Sequence, residues 1–62
     1  MPEIIVYLVE GRTADAKRGL MKDITDAVVR NLGVSIDTVT VQIVESAKTD
    51  KAKGGVPFSE RR

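Results

Sequence analysis

The run Glu3-Ile4-Ile5-Val6-Tyr7-Leu8-Val9 constrains the fold more than any other segment. Branched and aromatic side chains crowd it, which favours an extended strand. Side chains alternate between the faces of a strand, so Ile5, Tyr7 and Val9 fall on one side and Ile4, Val6 and Leu8 on the other. Both faces are apolar and both need cover. One helix shields only one of them. In a chain of 62 residues, near the size at which a lone core is marginal, the second face is expected to meet another chain. With neither Cys nor His in the sequence, disulfides and the usual zinc sites are closed as other sources of stability. Val6 is read as an interface position, where a charged residue should unfold the chain as well as dissociate it.

Gly11 breaks the strand, and the next signals are those of a helix. Thr13 suits an N-cap and Asp15 the first turn, where negative charge favours the helix dipole. Ala16, Leu20, Met21, Ile24, Ala27, Val28 and Leu32 follow helical spacing, while Arg18, Lys22, Asp23, Asp26 and Arg30 gather opposite them. Lys22 with Asp26, and Asp26 with Arg30, are i,i+4 pairs of opposite charge. Gly33 is the expected stop. From Val39 to Glu45 apolar and polar residues alternate as in a second strand. The intervening helix rules out a tight hairpin, so the strands should run parallel through a right-handed crossover. The expected class is α/β: a βαβ unit with parallel strands in a single domain over residues 1–62. Residues 46–62, with few apolar anchors and a Gly54-Gly55 turn signal, form a C-terminal arm that reaches over a neighbouring subunit. Two parallel strands are too few for independent stability, which again asks for an oligomer.

Ten basic and nine acidic side chains leave a formal charge of +1, which gives no drive toward nucleic acid or membrane. Tyr7 and Phe58 are the whole aromatic complement and supply no platform on which bases could stack. No segment reaches membrane-spanning length and none reads as a signal peptide. Cytoplasmic residence, no cofactor and no metal are the expectations.

Two residues stand out chemically. Removing Met1 turns the Pro2 ring nitrogen from an amide into a secondary amine, and an N-terminal amine titrates near ~7.7–8.0. Pro2 is then either a general base working at neutral pH or simply a stiff, donor-free start to a strand. Arg12 is either a solvated cation beside a helix start or a planar fork for a substrate carboxylate. The mostly extended segment between them keeps Pro2 and Arg12 of one chain from sharing a small ligand. They can meet only between chains, if first strands pair antiparallel and set each Pro2 beside the other chain's Val9 to Arg12.

Pro2, the apolar strand, Leu8-Val9-Glu10-Gly11-Arg12-Thr13, the amphipathic helix, the strand Val39-Thr40-Val41-Gln42-Ile43-Val44-Glu45 and the tail with Gly54-Gly55-Val56-Pro57 resemble the 4-oxalocrotonate tautomerase family over nearly the whole chain. The resemblance implies an isomerase that converts 2-hydroxy-dienoate or enol acids to 2-oxo acids, with Pro2 as catalytic base. It implies substrate binding by Arg12 and the backbone amide of Val9. It further implies a hexamer built as a trimer of dimers, a homo-hexamer or a mixed one, and a place in aromatic-hydrocarbon catabolism. Two positions depart from the family's pattern. Its second substrate-binding arginine, in a Val-Arg-Val context, is replaced by Thr40, which donates one neutral hydrogen bond and carries no charge. Its aromatic residue before the Gly-Gly turn is replaced by Lys51. Lys51 or Lys53 is a candidate to restore the charge, and both are equally read as solvated tail residues. A non-catalytic or differently specialised subunit of a mixed oligomer is the alternative reading.

Overall fold

The computed structural model describes residues 2–61; Met1 and Arg62 lie outside the described residues. Strand β1 (Glu3–Val9) leads into helix α1 (Ala14–Leu32), a 3-10 turn at Ile36–Thr38 and strand β2 (Thr40–Ser46). The tail follows as a 3-10 turn at Lys48–Asp50, short strands β3 (Ala52–Lys53) and β4 (Val56–Pro57), and a last 3-10 turn at Phe58–Glu60. The expected βαβ unit is present, with β1 and β2 parallel and in register from Glu3 opposite Thr40 to Val9 opposite Ser46.

Helix α1 begins and ends where its chemistry directs. The Thr13 side chain accepts a hydrogen bond from the Ala16 N–H at 3.1 Å, satisfying one of the donors a helix start leaves free. At the other end Gly33 adopts a left-handed conformation and its N–H donates to the Val29 carbonyl. Asp26 engages Lys22 at 2.9 Å, and among the described residues no ion pair joins it to Arg30. The Asp26 carboxylate, through that hydrogen bond and then its charge, raises the pKa of Lys22 above the ordinary lysine value. Strand β2 starts one residue later than the alternation indicates, because the Val39 N–H is held by the Ile36 carbonyl at 3.2 Å, closing the preceding turn.

Leu8 shares one cleft with Ala16, Lys17 and Leu20 of α1, and Val41 and Ile43 share another with Ala14, Lys17 and Met21. These residues mark the face of the sheet that α1 covers. Strand alternation puts Ile4 and Val6 on that same face, so Val6 belongs to the chain's own interior layer rather than to an interface. Lys17 reaches Glu45 on β2 at 3.0 Å and ties helix to sheet at the edge.

The opposite face is left partly open by the described residues. Ile5 is 45 % exposed, Tyr7 70 % and Val44 36 %. No described residue is fully enclosed anywhere in the protomer. The accessible surface of 4847 Å² exceeds the roughly 3,900 Å² expected for a compact monomer of this mass. The radius of gyration, 14.7 Å, likewise exceeds the roughly 11 Å of a compact chain this long.

The tail packs chiefly on itself. Strands β3 and β4 pair antiparallel, Lys53 opposite Val56. Gly54 and Gly55 between them hold φ of 61° and 82°, a pair of left-handed conformations that a tight two-residue hairpin turn requires. The Phe58 N–H donates to the Lys51 carbonyl at 2.7 Å, and the Lys51 ammonium lies 5.9 Å from the Phe58 ring centroid, a cation–π distance.

Candidate active site

Pro2 sits half-buried at the head of β1, where its carbonyl accepts a hydrogen bond from the Thr40 N–H at 3.0 Å. A proline costs nothing as the first residue of a ladder, since its missing N–H is not called on there. The bond fixes the Pro2 backbone to the start of β2 and brings Thr40 beside it. Thr40, opposite Glu3 in the register, is exposed.

The other end of the sheet carries a different set of groups. Past Val9 the ladder continues for one more bond, the Glu10 N–H donating to the Ser46 carbonyl at 2.9 Å. Gly11 then takes φ 122°, a backbone conformation that a side chain would strain, and turns the chain toward α1. The result is an open cleft of about 260 Å³ lined by Val9, Glu10, Gly11, Arg12 and Lys48. Arg12 also borders the Leu8, Ala16, Lys17 and Leu20 cleft, so it stands between a polar hollow and an apolar one. Neither Arg12 nor Lys48 enters an ion pair among the described residues.

Pro2 and Arg12 of one chain are therefore not brought together. Seven strand steps separate Pro2 from Val9, about 23 Å at the usual rise. The structure joins Pro2 with Thr40 at one end, and Val9 with Arg12 at the other. Lys51 and Lys53 belong to neither end within the protomer: Lys51 lies over Phe58, and the Lys53 carbonyl accepts from the Arg61 guanidinium at 3.1 Å. Lys48 is the residue that sequence reasoning passed over. Its signal lies in the parallel register, since Val9 opposite Ser46 places Gly11 and Lys48 each two residues further along the two segments.

A parallel βαβ unit with one sheet face open and unlike groups at its two ends defines a small α/β subunit. Comparison with known proteins names the class more closely. Residues 2–61 match the family model described as tautomerase enzyme. A probable tautomerase of Bradyrhizobium diazoefficiens is 54 % identical over 61 residues, 98 % of this chain and 91 % of that protein. A 2-hydroxymuconate tautomerase of a Pseudomonas species, strain CF600, is 34 % identical over 62 residues, covering 100 % of this chain and 98 % of that one. Among solved structures, a 4-oxalocrotonate tautomerase homologue superposes with a TM-score of 0.93 at 35 % identity, covering 100 % of this chain and 98 % of that chain. A heterohexamer 4-oxalocrotonate tautomerase from Chloroflexus aurantiacus follows at TM-score 0.91 and 26 % identity, with both chains fully covered. The chain belongs to the tautomerase family and is an isomerase-type enzyme of it.

Proposed function

We propose that this protein tautomerises 2-hydroxy-dienoate or related enol acids to 2-oxo acids, with Pro2 of one subunit and the Val9–Arg12 segment of another forming each site. The placement of Pro2 and Arg12 at opposite ends of an extended strand carries the reading, together with the open apolar face of Ile5, Tyr7 and Val44. Antiparallel pairing of two β1 strands covers the edge of each sheet and sets Pro2 of one chain beside Arg12 of the next. With Met1 removed, the Pro2 nitrogen takes the proton from the enol hydroxyl. The same nitrogen returns it to a carbon of the conjugated chain as the 2-oxo group forms. Arg12 holds a carboxylate with its fork, and the Val9 backbone amide adds a hydrogen bond. The assembly is a cytoplasmic hexamer, with the hairpin tail lying over a neighbouring subunit.

Mixed refolding of two inactive variants tests this reading on Met-free protein. Pro2→Ala and Arg12→Ala chains, each inactive alone, regain about a quarter of wild-type activity when combined at equal amounts. Random two-fold pairing makes half the dimers mixed, each with one intact site of two. No recovery in mixed oligomers, or full activity in protein that mass spectrometry shows to retain Met1, overturns the proposal. A second reading rests on Thr40: as a subunit of a mixed oligomer, the chain relies on a partner's cation at that position; the Chloroflexus aurantiacus relative is itself a heterohexamer. Co-purification of a related small chain from the native source distinguishes it.

A further inference from the structure

We infer that Lys48 is a specificity-determining residue, its ammonium joining the Arg12 guanidinium in gripping the substrate carboxylate at the Val9–Arg12 end of the site. The inference rests on the proposed function above and extends it to a residue outside that scheme. Three observations meet at Lys48. The Glu10 to Ser46 hydrogen bond locks the loop at residues 10–12 against the chain entering the Lys48–Asp50 turn. Both cations line the same cleft as Val9. Among the described residues no carboxylate pairs with either of them, although Glu10 shares the lining.

Charge then decides what the cleft receives. Two permanent or near-permanent cations against one carboxylate leave it net positive, and one substrate carboxylate brings it to neutrality. Arg12 supplies a planar, bidentate fork; Lys48 supplies a point charge on a flexible stem that can reach a lone pair the fork leaves open. At the Pro2 end Thr40 is neutral, so the charge that selects an acid over an ester is concentrated at this end. Lys51, stacked on Phe58, does not share this cleft.

Binding of muconate, an unreactive six-carbon unsaturated diacid, to the intact oligomer by calorimetry separates this inference from the base assignment. Lys48→Met is expected to weaken muconate about tenfold, the lower end of what a charge-assisted hydrogen bond contributes. Lys48→Arg should restore most of the affinity, and the dimethyl ester should not distinguish wild type from Lys48→Met. Lys22→Met, which removes an equal charge from the far face of α1, should leave binding unchanged. In turnover the same fold-loss is expected in KM, with kcat nearly constant. Equal muconate affinity in wild type and Lys48→Met, or a loss reproduced by Lys22→Met, overturns the inference. Pro2→Ala reports on the other reading: it should bind muconate normally and lose turnover. Retained turnover there refutes the base while the calorimetry still decides Lys48.

Discussion

Replacing Tyr7 by alanine should dissociate the oligomer, and the size of the effect follows from how much of that ring the protomer leaves uncovered. An aromatic side chain buries about 150–250 Å² when covered, and Tyr7 is 70 % exposed on the open sheet face. About 100–175 Å² per ring is thus left for a partner to cover, worth roughly 2.5–4 kcal/mol at ~25 cal/mol per Å². That figure is an upper bound per subunit, and at ~1.4 kcal/mol per decade it raises the dissociation constant of the contact that covers this face by up to about two to three orders of magnitude. Sedimentation velocity across nanomolar to micromolar protein reads this directly. Tyr7→Phe, which keeps the ring, should stay close to wild type. Far-ultraviolet dichroism adds a second signal, since a protomer with no enclosed residue among those described should lose its helix as it dissociates. A wild-type chain that sediments as a folded monomer at micromolar concentration would refute the reasoning. So would a Tyr7→Ala chain that stays assembled at nanomolar concentration.

Three further outcomes are expected. Thr40→Arg should raise kcat/KM for a diacid enol by about ten- to a hundredfold, from a charge-assisted hydrogen bond of ~1.5–3 kcal/mol, and by less for a monoacid; steady-state kinetics on both substrates checks it. Thr13→Ala removes the cap on Ala16 and should cost about 1 kcal/mol in denaturant unfolding. Asp26→Asn should lower the Lys22 pKa seen by NMR, because the hydrogen bond and charge that raise it are gone. In wild type the pair's contribution is present at neutral pH and lost as pH climbs through the raised Lys22 pKa, so alkaline titration should weaken α1 in wild type more than in Asp26→Asn.

Much of this architecture is legible in the residues, and its limits are physical. Thr13 and Gly33 bracket α1 because capping is local chemistry, decided within one turn. The parallel pairing of β1 and β2 follows from the helix between them. Strand alternation separates two faces of β1 but does not say which one the helix takes, and for that reason Val6 could be read as an interface residue. The choice lies in contacts with Leu8, Val41 and Ile43 that only packing reveals. Lys48 stayed hidden for a similar reason. Thirty-odd residues separate it from Arg12 in the chain, and only the strand register brings them to one cleft.

The locked ladder of β1 and β2, bonded from Pro2 through to Glu10, makes the first strand a measuring rod. In the paired arrangement the distance from Pro2 of one chain to Arg12 of the next is set by how far two such rods overlap. A slip of one residue would turn Ile5 and Tyr7 to the wrong side, so the overlap can change only in steps of two residues, about 6.6 Å. That step is comparable to the whole carbon chain of a small diacid. In the proposed arrangement, substrate length would be selected in coarse increments by the seam between chains, and the side chains of the cleft would tune only what remains within one increment.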